Sequence, residues 1–216
     1  MESRQRPRVL IADDHQLVAE ACKSLLEPEF DVVGIVTDGR TLMQATEQLH
    51  PDVIILDISM PELNGLDAGE QIKRKNCSVK LIFLTMASEP SLAAEAFRRG
   101  ASGYVLKQCS ADELLIAVRR ILCGESYLSS LITKDTVDFL LRSRATREQE
   151  KHLTIRQSEV LQLLAEGKSM KEVAYILQLK PTTVASHRYR IMNTLGIKTG
   201  AELIEYAVRH HMIPQQ

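Results

Sequence analysis

The chain has 216 residues, 44% of them hydrophobic, a formal net charge of −1 and no tryptophan. This length suits one or two globular domains, and no apolar run approaches the roughly 20 residues that a membrane helix needs. The near-neutral total hides an asymmetry, since residues 1–127 carry −5, residues 128–152 carry +1 and residues 153–216 carry +3. An acidic first part and a mildly basic last part predict different partners for the two ends.

The four cysteines are scattered, at Cys22, Cys77, Cys109 and Cys123, with no close pair of the kind that binds zinc. This spacing is typical of reduced thiols in the cytosol. The first residues do not resemble a signal peptide, because several arginines lead directly into a strand-like run. We therefore expect a cytoplasmic protein.

Strand and helix patterns alternate five times in the first part of the chain. The predicted strands are Arg8–Ala12, Val32–Val36, Val53–Leu56, Lys80–Thr85 and Gly103–Lys107, each followed by a helical pattern. The run Val53–Leu56 is continuously apolar, which is typical of a parallel strand buried on both faces. The sequence therefore predicts an α/β fold with a doubly wound, five-stranded parallel sheet.

Five polar side chains lie at the carboxyl ends of these strands: Asp13, Asp14, Asp57, Thr85 and Lys107. The carboxyl ends of parallel strands share one edge of a sheet, so these residues converge. Three carboxylates brought together repel unless a cation binds, and carboxylate and carbonyl oxygens suit Mg²⁺. An aspartate beside a metal, a hydroxyl and an ammonium group indicates phosphoryl transfer, with the aspartate as nucleophile. Taken singly, each residue also has a structural interpretation, such as a helix cap, a strand-end hydroxyl or a solvated lysine.

The last part of the chain has a different pattern. We predict an α/β domain over 7–124, a partly helical linker over 125–152 with a helix over 132–141, and an all-α domain over 153–216. Thr154 and Gln157 fit a capping box. Four helices are predicted at about 155–165, 170–177, 182–195 and 200–210. A short helix joined by a tight turn to a longer one is the arrangement of a helix-turn-helix.

Residues 8–123 resemble the receiver domain of bacterial two-component response regulators, which has a CheY-like fold. The matching motifs are Asp13-Asp14, Leu56-Asp57-Ile-Ser-Met-Pro61 with Asn64-Gly65, Leu84-Thr85, and Gly100-Ala-Ser-Gly-Tyr-Val-Leu-Lys107. The resemblance implies that Asp57 accepts a phosphoryl group from a sensor histidine kinase.

The same resemblance implies roles for the residues around Asp57. Asp14, Asp57 and the backbone carbonyl of Ser59 would hold Mg²⁺, with Asp13 near the metal through water. Thr85 and Lys107 would bind the phosphoryl oxygens. Tyr104 matches the aromatic residue that changes rotamer with Thr85 on activation, and its structural alternative is a packed strand aromatic.

Residues 153–210 resemble the LuxR/NarL-type helix-turn-helix, whose recognition helix would follow Pro181. The matching motifs are Leu153-Thr-Ile-Arg-Gln-Ser-Glu-Val-Leu161, Ala165-Glu-Gly-Lys-Ser169, Glu172-Val-Ala174 and Thr182-Thr-Val-Ala-Ser-His-Arg-Tyr-Arg190-Ile-Met. Thr182 and Thr183 are expected to cap this helix, with backbone N–H groups free for a phosphate. The resemblance places Ala185, Ser186 and Tyr189 on the side that faces the bases. The full set of candidate DNA contacts is Lys168, Lys180, Thr182, Thr183, Ala185, Ser186, His187, Arg188, Tyr189 and Arg190. The alternative is an interaction module of four helices with a solvated charged face.

Together the two resemblances imply a NarL/FixJ-type transcription regulator rather than an enzyme. Phosphorylation would shift a two-state equilibrium and promote a homodimer that binds promoter DNA, and RNA polymerase is a further candidate partner. The last helix is a candidate dimer surface, although its apolar Leu203, Ile204, Ala207 and Val208 suit a core equally well.

Two other interpretations stay open at this point. One is a LuxR-type regulator that works without phosphorylation and uses the receiver as a dimerisation scaffold. The other is a phosphatase of the haloacid dehalogenase type, which needs a second aspartate two residues after the nucleophile. The residue at that position is Ser59.

Overall fold

The computed structural model describes residues 6–132 and 153–213. The predicted helix over 132–141 and most of the predicted linker lie outside the described residues. The first described part alternates strands and helices: β1 (Arg8–Ala12), α1 (Gln16–Leu26), β2 (Asp31–Val36), α2 (Gly39–Leu49), β3 (Val53–Leu56), α3 (Gly65–Lys75), β4 (Lys80–Thr85), α4 (Pro90–Arg98), β5 (Gly103–Leu106), α5 (Ala111–Leu122) and β6 (Tyr127–Leu128).

These strands form one parallel sheet in the order β2-β1-β3-β4-β5-β6. The predicted parallel α/β fold is confirmed, but the predicted number of five strands is wrong. The sixth strand has two residues, and Tyr127 pairs with Gly103 while Leu128 pairs with Tyr104. So short a strand carries no periodicity of its own and lies in the segment predicted as linker. Its pairing with β5 makes it a strand.

Successive strand residues face opposite sides of the sheet and build two hydrophobic cores. Leu10 and Ile54 pack on one side with α2, α3 and α4, while Val9 and Ile55 pack on the other side with α1 and α5. All four residues of β3 are buried, as the continuous apolar pattern predicts. Full burial of such a side chain contributes about 1.5–3 kcal/mol, so these two cores fix the sheet and its edges.

The second described part is helical, with α6 (Ile155–Ala165), α7 (Met170–Ile176), α8 (Pro181–Leu195) and α9 (Gly200–Arg209). The predicted capping box between Thr154 and Gln157 is present at the start of α6. The expectation that Thr182 and Thr183 cap the recognition helix is wrong. Helix α8 begins at Pro181, since proline fits the first helical position, and Lys180 is the N-cap residue without a side-chain cap.

A buried apolar cluster holds the four helices together. It includes Val160 and Leu163 of α6, Val173 of α7, Val184 of α8 and Leu203 of α9. Polar side chains on α6 contact the loop between β3 and α3 and the first turn of α3, so the two parts of the chain touch. None of the helices within the described ranges is long and apolar enough to cross a membrane.

Candidate functional site

The predicted pocket residues lie at one edge of the sheet because backbone hydrogen bonds align the strand ends. The Asp57 N–H donates to the Ala12 carbonyl at 2.8 Å, and the Lys107 N–H donates to the Thr85 carbonyl at 2.8 Å. The Asp13 N–H likewise donates to the carbonyl of the last residue of β2 at 3.0 Å. The parallel topology therefore brings together residues that are far apart in sequence, as predicted.

A lysine pairs with two carboxylates at the centre of this pocket. Lys107 Nζ lies 2.8 Å from Asp13 Oδ2 and 3.3 Å from Asp57 Oδ1. Asp13 and Asp57 are buried, at 2% and 4% exposure, so both depend on this ammonium group for charge compensation. Burial raises the pKa of Asp57, while Lys107 opposes the rise and Asp13 adds to it.

Four side chains of the pocket have the spacing of a cation site. One ligand atom from each of Asp13, Asp14, His15 and Asp57 lies within 4.8 Å of the others. Asp14 Oδ1 is shielded from solvent and has no hydrogen-bond partner among the described residues, although His15 Nδ1 lies 2.9 Å away. Carboxylate oxygens are the donors that a hard divalent cation prefers, so the residues present fit Mg²⁺.

Sequence reasoning missed His15 as a member of this cluster. Its backbone N–H donates to Asp13 Oδ1 at 2.9 Å, which ties the two residues together. The available signal was its position directly after Asp13-Asp14 at a strand end.

Hydrogen bonds to the backbone of Ala87 connect Thr85 with Tyr104. The Thr85 hydroxyl oxygen accepts a hydrogen bond from the Ala87 N–H at 3.2 Å, and the Tyr104 hydroxyl donates to the Ala87 carbonyl at 2.8 Å. Tyr104 is fully buried, and this burial raises the pKa of its hydroxyl, so the side chain is a neutral donor. A movement of the Thr85 side chain would therefore act on Tyr104 through Ala87.

The loop after β3 brings Ser59 and Gly65 close to Asp57. Ser59 is half-buried two residues beyond Asp57. A Cβ atom at Gly65 would lie 2.0 Å from the Asp57 carbonyl oxygen, much closer than two such atoms approach. Glycine at position 65 is therefore required for this loop to fold back against the phosphoacceptor candidate.

The base-facing candidates on the recognition helix α8 are exposed. Ala185, Ser186 and Arg190 are exposed, as is Tyr189 with 68% of its surface accessible. The predicted phosphate contacts Lys168, Lys180 and Thr182 are also exposed, and Thr183 and Arg188 are half-buried. The contact between the two parts of the chain thus leaves this face open.

His187 differs from its neighbours on α8. It is half-buried, and its Nδ1 atom is shielded from solvent without a hydrogen-bond partner in the described part of the chain. Desolvation, with the charges of Arg156 and Arg190, lowers the pKa of His187. The ring is therefore less basic than an ordinary imidazole and less exposed than its neighbours Ser186 and Tyr189.

The candidate dimer surface on α9 divides into two parts. Leu203 and Ala207 are buried in the core of the helical domain. Ile204 has 45% of its surface exposed and Val208 is half-buried. Leu203 and Ala207 are therefore core residues, and Ile204 is the most exposed apolar side chain of the four.

Two protein-family models match the chain. The "Response regulator receiver domain" model matches residues 9–119, and the model of "Bacterial regulatory proteins, luxR family" matches residues 151–207. The chain belongs to the NarL/FixJ family of two-component response regulators. As a member of this family it is a DNA-binding protein regulated by phosphorylation.

Relatives align with the response regulator along almost its whole length. The transcriptional regulatory protein MctR of Rhizobium johnstonii is 33% identical over 99% of this chain and 98% of its own. The response regulator UvrY of Escherichia coli is 32% identical over 94% of each chain. Among solved structures, RcsB of Salmonella enterica serovar Typhimurium, bound to promoter DNA in the presence of phosphomimetic BeF3−, is 30% identical with a TM-score of 0.63, covering 95% of this chain and 100% of its own.

Proposed function

We propose that Asp57 is the phosphoacceptor through which this regulator controls its binding to promoter DNA. The observation that carries the proposal is the convergence at one sheet edge of Asp57, Asp13 and Lys107, with Lys107 Nζ within 3.3 Å of both carboxylates. Two buried carboxylates share one ammonium group, and incompletely compensated buried charge is costly, so this arrangement fits a site that takes up a cation. The protein acts as a cytoplasmic transcription regulator rather than as an enzyme.

The phosphoryl donor is a sensor histidine kinase. A carboxylate oxygen of Asp57 attacks the phosphorus atom, a P–O bond forms, and the P–N bond to the kinase histidine breaks with its electron pair going to the imidazole. Lys107 supplies positive charge to the phosphoryl oxygens from its position beside Asp57. The Thr85 hydroxyl, whose oxygen accepts from the Ala87 N–H, donates its own hydrogen to the phosphoryl group.

Asp13, Asp14 and Asp57, together with the backbone carbonyl of Ser59, are the proposed Mg²⁺ ligands. Their support is the cluster of carboxylate oxygens, in which Asp14 Oδ1 has no hydrogen bond among the described residues and lies 2.9 Å from His15 Nδ1. When bound, Mg²⁺ neutralises the charge that accumulates on the phosphoryl oxygens and allows neighbouring carboxylates to stay ionised. Asp13 contributes through a water molecule in this assignment.

The helical domain reads DNA through α8. Ala185, Ser186 and Tyr189 contact the bases, while the surrounding basic and hydroxyl side chains position the domain on the phosphates. The phosphate contacts in this proposal are Lys168, Lys180, Thr182, Thr183, Arg188 and Arg190. One domain of net charge +3 attracts DNA only weakly, so a phosphorylation-promoted dimer gives the affinity that a promoter requires. RcsB, whose solved structures include two dimers bound to two DNAs, supports this mode.

Intact-mass spectrometry after incubation with acetyl phosphate and Mg²⁺ tests the proposal. We expect the wild-type chain to gain one phosphoryl group, and Asp57→Ala and a sample with chelated Mg²⁺ to gain none. An unmodified wild type, or equal modification of Asp57→Ala, would show that the phosphoacceptor assignment is wrong.

A further inference from the structure

Gln162 is a polar residue of the DNA-binding domain that is completely buried against the receiver domain. Its side chain spans the loop that follows β3. The Gln162 Nε2 group donates to the Met60 carbonyl at 2.9 Å. Its Oε1 atom accepts from the Asn64 backbone N–H at 2.8 Å and from Asn64 Nδ2 at 3.1 Å. One amide group therefore fixes both ends of a five-residue loop segment.

This segment begins directly after Ser59, whose carbonyl is a proposed metal ligand. Its backbone is tightly turned, since Glu62 has a φ of 63° and the Leu63 N–H donates to the Pro61 carbonyl at 2.7 Å. A left-handed backbone conformation is unfavourable for glutamate, so it must be stabilised by contacts of the surrounding structure. The contacts of Gln162 on both sides of Glu62 are of that kind.

Neighbouring residues of α6 hold Gln162 in place. Glu166 Oε1 accepts hydrogen bonds from Gln162 Nε2 and from the Glu62 backbone N–H, both at 2.9 Å. One turn earlier, the Ser158 hydroxyl donates to Asp67 Oδ2 at 2.5 Å. The Gln162 amide thus donates two hydrogen bonds and accepts two within this contact.

We propose that Gln162 is a positioning residue for the phosphoacceptor pocket, supplied by the DNA-binding domain. By fixing the Met60 carbonyl and the Asn64 N–H, it holds the backbone on which the Ser59 carbonyl is presented to the cation. This inference rests on the proposed function of the pocket. Because coupling free energies are reciprocal, a divalent cation in the pocket also strengthens the contact between α6 and the loop.

The test is a Mg²⁺ titration of the full chain by calorimetry, at one salt concentration and without a phosphodonor. Residues that orient metal ligands change metal affinity by about 10–100-fold when mutated, so we expect Gln162→Ala to bind Mg²⁺ about tenfold more weakly. Gln162→Met fills a similar volume without donating or accepting, and it is expected to match Gln162→Ala. The exposed Gln44 of α2 provides the control, since Gln44→Ala is expected to retain wild-type affinity.

A circular-dichroism melt of each variant verifies that both domains are folded. Equal Mg²⁺ affinity in wild type and Gln162→Ala, or tighter binding in the variant, would overturn the inference. Wild-type affinity in Gln162→Met would also overturn it, because packing rather than hydrogen bonding would then be sufficient. If the wild type itself bound no Mg²⁺, the metal assignment of the proposed function would fail, and this inference with it.

Discussion

The proposed phosphoacceptor pocket and the proposed recognition helix α8 differ in how their side chains are held. In the pocket, Asp57 and Thr85 are both buried at 4% exposure. Asp57 contacts Lys107, and Thr85 accepts a hydrogen bond from Ala87 in the loop that follows it. On the recognition helix, Tyr189 is 68% exposed and Ala185 is exposed. Contacts within the folded chain thus hold the pocket side chains, whereas the candidate DNA contacts lie at the surface. Changes in the pocket should therefore alter stability and chemistry together, whereas changes on the recognition helix should alter binding alone.

The largest effect is expected from Gly65→Ala. The new Cβ would lie 2.0 Å from the Asp57 carbonyl oxygen, so the loop and β3 must separate. Overpacking of this kind costs about 3 kcal/mol, at the upper end of its usual range. Denaturant unfolding and acetyl-phosphate labelling should therefore both show large losses.

Gly200→Ala is the matched control, because no described atom lies within 4 Å of a Cβ at Gly200. Alanine at the start of α9 is expected to be neutral or to stabilise by about 0.5 kcal/mol. A Gly65→Ala variant as stable as Gly200→Ala would show that the pocket backbone is not fixed.

Lys107→Met should have the next largest effect, because it leaves Asp13 and Asp57 buried without their ammonium partner. Breaking such a pair is strongly destabilising, but one carboxyl group can take up a proton, so we expect a cost of about 2 kcal/mol. Mg²⁺ should restore more stability to this variant than to the wild type. Unfolding curves with and without Mg²⁺ measure this difference, and an equal response of both proteins would contradict the charge balance described for the pocket.

Variants of the recognition helix should separate the two kinds of DNA contact. Tyr189→Ala is expected to change the preference between promoter sequences by about 1–3 kcal/mol, since Tyr189 is a base-facing candidate. Arg190→Ala should weaken all sequences alike and lower the salt dependence by about one phosphate contact. Binding isotherms on two promoter fragments at several salt concentrations distinguish the two. Loss of thermal stability in either variant would contradict the claim that changes on α8 alter DNA binding alone.

The smallest effect concerns the pH dependence of the domain contact. Burial raises the pKa of Glu166 above its ordinary value of 4.5, and the negative charge of Glu62 adds to the rise. The hydrogen bonds from Gln162 and the Glu62 N–H, and the charge of Lys168, act in the opposite direction. Because the folded-state pKa is raised, the contribution of Glu166 is fully present below pH 4.5 and is lost as the pH rises through the raised pKa.

Glu166→Gln removes this titration and retains an oxygen that accepts both hydrogen bonds. We expect a gain of about 0.5 kcal/mol near neutral pH and a flatter profile of unfolding free energy against pH. An unchanged profile in the variant would mean that Glu166 does not titrate within the contact.

The sequence predicted what depends on strand order and periodicity. The residues at strand ends, such as Asp57 and Lys107, converge because parallel strands share one carboxyl edge, and the helix bounds follow from caps and prolines. The two-residue strand at Tyr127 could not be predicted, since its identity depends on pairing with Gly103 in space. Nothing in the sequence of this segment shows which strand it pairs with.

The contact made by Gln162 also lay beyond sequence reasoning. A glutamine in an amphipathic helix is ordinarily solvated, and its burial follows from how two separately folded domains meet. No periodicity distinguishes Gln162 from the nearby Gln157, which caps its own helix. By contrast, His15 could have been predicted, because its neighbours in sequence are also its neighbours in the pocket.

The central claim is that phosphorylation of Asp57 controls DNA binding, and promoter-fragment binding at one fixed salt concentration tests it most directly. Wild type and Asp57→Ala are compared with and without acetyl phosphate and Mg²⁺. We predict that the phosphodonor tightens binding by the wild type and leaves Asp57→Ala unchanged. Equal binding by the wild type under both conditions would contradict the claim, and the receiver would then be a dimerisation scaffold for a regulator that does not respond to phosphorylation.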